Sequence, residues 1–455
     1  MDNEGNVSQH TAGNLFTHDF VIVVLAFFAI CAAFHSLTPT LPIYLTRLGS
    51  NEREIGVLIG IFAVAALFSR LFVGGALLKY RTKNVMMVGA FLTIIVYLAL
   101  IVFRPFFPFL VVRFLQGVAF ACLDTAALAS IIGVIPPAYR TRALGYLMLA
   151  PSLAMAVAAP LGMFIINKYS FTMLFLSCAG LAFCAFLMFW KLKGQEIAIP
   201  QKDSPAHSTS FFNLKIITPA ITAFLHLFVW GALSAFFPLY AIQCGVTNPG
   251  LFFSAMAIMM VAGRLFGGKI MDTCNKEKFI ATFLPSMMVI LIILSLSKTL
   301  PLFIFVGAVW GIGVAFFVPI VMTYALEYSG SSDGAAVGTY RAIYDFGIGL
   351  GPVVMGIIIP LTGYRIMFLC LALICLINLC YFQFYVRKRS SLNNKYYGFS
   401  ITPFLDIEKF FCIFVHNPFS NFRISELGNN LIGPLHPLCE GFFSPTFFPG
   451  SIQTE

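Results

Sequence analysis

Apolar residues in this chain run in long blocks of about twenty, separated by short polar stretches rich in Lys, Arg, Pro and Gly. A helix needs roughly 20 apolar residues to cross a bilayer core. The pattern predicts twelve such helices, over 20–45, 55–78, 85–103, 108–134, 143–167, 172–191, 216–242, 250–271, 279–297, 301–327, 336–361 and 366–386. The runs are too long, and alternate too little, for membrane strands. The predicted fold is therefore an all-α membrane protein with two six-helix bundles.

Composition agrees with that pattern. Of 455 residues, 59% are hydrophobic and 10% charged, against about 25% charged in a soluble domain. The eleven cysteines sit mostly inside apolar runs and show no disulfide framework. The net charge of +10 is not gathered into one stripe, so nucleic acid is not expected as a partner. It lies in clusters between spans, as the positive-inside rule requires. With the N-terminus cytoplasmic, 15 Lys and Arg of the loops face inward and 6 face outward. Both termini are then cytoplasmic. The first 19 residues are polar, without the basic start of a cleavable signal. The organisation reads as a cytoplasmic N-terminus over 1–19, a bundle over 20–191, a linker over 192–215, a second bundle over 216–386 and an atypical tail over 387–455. The tail is rich in Phe and Pro and is expected to be disordered or interfacial, with Phe410 to Val415 able to rest on the membrane surface.

The two bundles repeat one another. Arg70-Leu71-Phe72 with Gly74 recurs as Arg264-Leu265-Phe266 with Gly268, 194 residues on. Pro42-Ile43-Tyr44 recurs as Pro238-Leu239-Tyr240, Gln116-Gly117 faces Trp310-Gly311, and Ala159-Pro160 parallels Gly351-Pro352. A parallel repeat of this kind suits alternating access around a midplane cavity.

These segments resemble the major facilitator superfamily over roughly residues 18–388. Gly74, Lys79 and Lys83 match the loop motif after the second helix, with Leu78 standing where the family has Asp. The repeat copy, Gly268 through Asp272 to Lys276, keeps its acid. Arg113-Phe114-Leu115-Gln116-Gly117 is similar to the Arg-x-x-Gln-Gly motif often tied to proton coupling. Ala159-Pro160-Leu161-Gly162 resembles a reduced antiporter motif, and Gly347, Gly349, Gly351 and Pro352 form a cleaner copy. The run from Gly338 to Gly347 looks most like bacterial efflux permeases of the drug:proton antiporter type. The resemblance implies a monomeric carrier in the bacterial inner membrane that exports a small organic molecule against protons. A proton symporter or facilitator for import, and a transport-incompetent sensor, remain as alternatives. No cofactor, metal set, Walker motif or catalytic pair is expected, so the chain is not an enzyme.

A charge at the bilayer centre costs at least about 2.5–3.5 kcal/mol, so each one inside a span is a candidate site. Arg113, Asp345, Arg341 and Asp124 are expected to couple protons. Arg341 and Asp345 are spaced i, i+4 and can pair locally, while a carboxylate in a cavity can load a proton near neutral pH. Arg113 and Asp124 share one face of the fourth span about 16 Å apart. Arg70 and Arg264 are expected to brace the interior loops, and Glu327 to be an interfacial charge. His35 with Thr38, Gln116, His226, Trp230, Tyr340 and Tyr344 are candidate substrate contacts. Gly74, Lys79, Lys83, Pro160, Gly162, Gly268, Asp272, Gly351 and Pro352 are candidate gating or packing positions.

Overall fold

The computed structural model describes residues 17–103, 106–134, 137–192, 214–267, 275–330 and 334–388. Gly268, Asp272, most of the linker and the tail from 389 lie outside the described residues. Among the described residues the secondary structure is helical throughout. The helices are α1 (His18–Arg47), α2 (Glu52–Leu77), α3 (Thr82–Val102), α4 (Phe106–Val134), α5 (Pro137–Lys168), α6 (Phe171–Trp190), α7 (Ile217–Gln243), α8 (Gly250–Phe266), α9 (Lys276–Leu296) and α10 (Leu300–Ser329). A last helix, Gly334–Tyr381, breaks at Gly363, whose φ of 81° and ψ of 170° are non-helical. Its arms, 334–362 and 364–381, are α11 and α12. Helix α8 is 17 residues long where a 22-residue span is expected, since Gly267, with φ of −92° and ψ of 3°, caps it after Phe266; residues 268–271 lie outside the described residues.

Local chemistry sets the helix starts. Thr17 accepts from the Phe20 amide at 3.3 Å. Asn51 and Glu54 form a reciprocal capping box on α2, which satisfies two orphan amides at once. Ser170 caps α6 and Asn275 caps α9. Gly49 and Gly245, with φ of 87° and 84°, end the turns after α1 and α7. Both need the left-handed region that only glycine enters at little cost.

Successive helices cross in alternate directions. We call the side where α1 begins the near face and the side where it ends the far face. Helix α2 packs on α11 and α5 packs on α8, which joins the first six helices to the last six. Glycine makes these contacts close. A side-chain carbon on Gly56 would strike the Pro352 carbonyl, on Gly60 the Gly349 carbonyl, and on Gly250 the Ala159 carbonyl. All of these lie toward the far face. Gly74 and Gly75 on α2, Gly338 on α11 and Gly145 on α5 share those same helix faces, three to four turns nearer the near face. Nothing lies within 4 Å of them. Among the described residues, the two halves are thus packed tightly toward the far face and make no such close contacts at these glycines toward the near face.

Outward-facing side chains such as Phe68, Phe72, Phe91, Leu98, Phe164 and Phe305 are large, apolar and exposed. In water they would be a liability. On spans of this length they are the lipid-facing surface.

Candidate functional site

Two arginines stand where this close packing ends, toward the near face. Arg70 on α2 donates to Asp124 of α4 at 3.0 Å. It also forms an ion pair with Asp345 of α11. One guanidinium is therefore shared by two carboxylates, one from each half. Arg264 on α8 makes the matching reach to α5, donating at 3.3 Å to the Met148 carbonyl and at 3.3 Å to the Ser152 hydroxyl. The side chains of Arg70 and Asp124 are 22% and 17% exposed, so the pair is only partly buried.

In this arrangement Asp345 pairs across the halves with Arg70, and not with Arg341 as the i, i+4 spacing allowed. Helical side chains lean toward the helix N-terminus. Arg341 therefore leans away from Asp345, and an Arg placed N-terminal to an acid is also the weaker i, i+4 order. Helix α2 runs antiparallel to α11, so Arg70 and Asp345 lean toward each other. Arg341 instead lies over the Tyr344 ring, 6.0 Å from its centroid.

Arg113 is buried, with Nε donating to the Leu58 carbonyl at 2.9 Å and Nη1 to Gln116. Its guanidinium lies 5.0 Å from the Phe62 ring centroid. Among the described residues it has no carboxylate partner. It ties α4 to α2 inside the first half, and Gln116 is occupied in holding it. Three turns of α4 separate it from Asp124.

The aromatic candidates fall into two groups. His226 and Trp230 lie within the second half. His226 is buried, 4.7 Å from the Phe317 ring and 6.2 Å from that of Trp310, and Trp230 is 6.5 Å from Trp310. Tyr340 and Tyr344 sit 6.1 Å apart on α11, beside Arg341. In α1, Pro39 and Pro42 have no amide to give the His35 and Thr38 carbonyls. The His35 Nδ1 is buried without a partner among the described residues. That stretch of α1 is a polar spot among apolar neighbours.

The gating candidates divide likewise. Lys79 is exposed. Lys83 donates at 2.6 Å to the carbonyls of Trp190 and Leu192, closing the end of α6. A side chain on Gly162 would strike the Ser36 carbonyl, and one on Gly351 the Phe228 carbonyl. Pro160 accepts from Asn248 at 3.4 Å. Glu327 is exposed and pairs with Lys276. Sequence reading missed the Lys83 cap and its counterpart, an ion pair between Arg387, six residues past α12, and Glu277 at 3.1 Å. The repeat offset of 194 was the signal available, since it carries Lys83 onto Glu277.

Long apolar helices, two related halves and charged side chains reaching between them define a polytopic membrane carrier. The family model described as Major Facilitator Superfamily matches residues 23–332 and 250–420, and the chain belongs to that superfamily. It is a multi-pass membrane transporter of small molecules and not an enzyme. It is 23% identical over 364 residues to the staphylopine export protein of Staphylococcus aureus (strain Mu50), covering 76% of this chain and 90% of that one. It is 24% identical over 330 residues to the quinolone resistance protein NorA of Staphylococcus aureus (strain COL), covering 70% and 84%. Among solved structures, a bacterial homolog of the human lysosomal transporter Spinster, inward-facing and unoccupied, aligns with a TM-score of 0.71 at 13% identity, covering 86% and 100%. The nucleoside transporter NupG aligns at 0.66 and 15%, covering 80% and 98%.

Proposed function

We propose that this chain exports a small organic molecule across the bacterial inner membrane in exchange for protons. In this reading one copy suffices, both termini are cytoplasmic, and the near face is the cytoplasmic face. The excess of Lys and Arg on near-face loops supports the orientation. The names of the staphylopine export protein and of NorA support export.

The observation that carries proton coupling is the sharing of Arg70 between Asp124 and Asp345. Two acids compete for one cation at the throat. When Asp345 takes a proton, Arg70 keeps Asp124, so no charge is stranded in the membrane. The bond that is lost is the one joining the two halves, and its loss frees α11 to move against α2. When Asp345 releases the proton, the cross-half bond re-forms. A proton thereby changes the cost of moving between the two open states, which is what coupling requires. Arg113, fully engaged inside the first half, acts in this scheme as an anchor that keeps α4, and hence Asp124, in register with α2.

One charge crossing about 100 mV gains about 2.3 kcal/mol, and a tenfold substrate gradient costs about 1.4 kcal/mol. A single proton therefore supports a gradient above roughly thirtyfold before any pH difference is added. The test is a substrate screen in inverted vesicles with an acid lumen, reading proton efflux on substrate addition. Substrate that equilibrates with no accompanying proton movement would reduce the protein to a facilitator.

A further inference from the structure

The throat carries more positive than negative charge, and the surplus has a definite place. Arg70 has two carboxylate partners. Arg264, its repeat counterpart, crosses to the other half in the same way but meets only a carbonyl and a hydroxyl. The offset of 192 that carries Ala159-Pro160 onto Gly351-Pro352 carries Leu153 onto Asp345, so α5 has no acid where α11 has one. Arg341 lies over the Tyr344 ring. Among the described residues, neither Arg264 nor Arg341 has a carboxylate partner.

The surplus charges are gathered together. Arg341 lies 6.0 Å from the Tyr344 ring, and Arg264 and Arg70, each crossing between the halves, act electrostatically on the same tyrosine. Tyr340, 1% exposed, holds a buried hydroxyl without a hydrogen-bond partner among the described residues. Its ring is beside that of Tyr344, and its hydroxyl feels the charge of Arg341. An unpaired cation in a membrane is costly. Two of them, half-buried beside an idle hydroxyl donor, form an acceptor site for an anion.

We propose that Arg264 and Arg341, with the hydroxyls of Tyr340 and Tyr344, form a subsite that binds a carboxylate of an organic-anion substrate. The planar guanidinium fork matches a carboxylate in two parallel bonds, and phenol hydroxyls add donors from the side. The inference rests on the transport reading above and narrows its substrate class. It also separates two tasks within the throat. The acids sit on Arg70, toward α2 and α4, and the substrate charge sits on Arg264 and Arg341, toward α5 and α8. Proton and substrate then occupy neighbouring cations in one cavity.

The full chain in phosphatidylcholine nanodiscs should bind carboxyfluorescein saturably by fluorescence anisotropy, and should not bind the cation rhodamine 6G. Arg264→Gln with Arg341→Gln should weaken carboxyfluorescein binding at least about tenfold, as expected for charge-assisted bonds. Ser152→Asp is the second variant. It keeps both arginines and gives Arg264 a built-in carboxylate, so it should also weaken binding while the protein melts as the wild type does. Saturable binding of rhodamine 6G without carboxyfluorescein would overturn the subsite, as would no saturable carboxyfluorescein signal, or equal binding by wild type and both variants. Loss of the signal in nanodiscs containing phosphatidylglycerol would assign the arginines to lipid phosphate and overturn the substrate role. Carboxyfluorescein bound in nanodiscs but not accumulated by inverted vesicles under a pH gradient would sink the export reading and leave the anion subsite standing.

Discussion

Tyr44 and Tyr240 hold equivalent places in the two halves and do the same thing. Tyr44 donates to the Leu100 carbonyl at 3.2 Å, closing α1 onto the end of α3. Tyr240 donates to the Ser297 carbonyl at 2.6 Å, closing α7 onto the end of α9. Gly117 and Gly311 are equally alike, since a side chain on the first would strike the Phe62 carbonyl and on the second the Met256 carbonyl, 194 residues on. The charged positions differ. Arg113 reaches the Leu58 carbonyl, while its counterpart Gly307 presses bare backbone on the Phe252 carbonyl. Among the described residues, Arg70 finds two acids and Arg264 none. Lys83 caps α6 directly, whereas its counterpart Glu277 pairs with Arg387, beyond the end of α12. Close packing tolerates few solutions, so both halves retain one. Charge chemistry is what the halves divide between them, and the division makes the throat polar at one side and cationic at the other.

The largest test of this division is at the crossing arginines. Asp345→Asn should drop the accumulation ratio in inverted vesicles from above roughly thirtyfold to about one, because the proton no longer contributes its share of free energy. Ser152→Ala, which removes a neutral contact of Arg264, should leave the ratio within about twofold. If Arg70→Gln with Asp345→Asn together restores full accumulation, the ion pair is only a brace and Asp124 becomes the acid to examine.

The glycines should respond equally. Gly117→Leu and Gly311→Leu each overpack a helix pair, at a cost of about 1–3 kcal/mol. Melting of the two purified variants should agree closely. A large excess on one side would mean that one half is far less tightly packed.

Smaller effects are expected at the near-face ties. Lys83→Met and Glu277→Gln should each cost about 0.5–1.5 kcal/mol, and high salt should lessen only the second, which breaks an ion pair. Thermal melting at two salt concentrations checks this. Smallest are Tyr44→Phe and Tyr240→Phe, each about 1 kcal/mol or less and each without effect on transport.

The framework was legible in the sequence because apolar run length, Pro and Gly positions and a fixed repeat offset all speak of local or periodic structure. The break at Gly363 falls in the expected gap between the last two spans. The site was legible only as a set of residues. Arg70, Asp124 and Asp345 each stood out as charges inside spans, but Arg70 lies 54 positions from one acid and 275 from the other. Nothing in the spacing of Arg341 and Asp345 says that side chains on one helix lean the same way, while those on antiparallel neighbours lean together. Arg113 raised the same difficulty from another side, since its main partner is a backbone carbonyl, which no side-chain pattern announces.

The Lys83 cap also bears on how the protein is made. Lys83 must wait for Trp190, 107 residues later in the chain. At 5–20 residues per second that is roughly 5–20 s of synthesis. During that time its ammonium is hydrated at the membrane surface, and α3 is packed only against helices made before α6. Glu277 waits comparably for Arg387, 110 residues on. Each half is therefore tied shut by its own last helix. The first can be fastened while the second is still leaving the ribosome, so a nascent chain halted within the linker should already resist protease in its membrane part, and one halted before α6 should not.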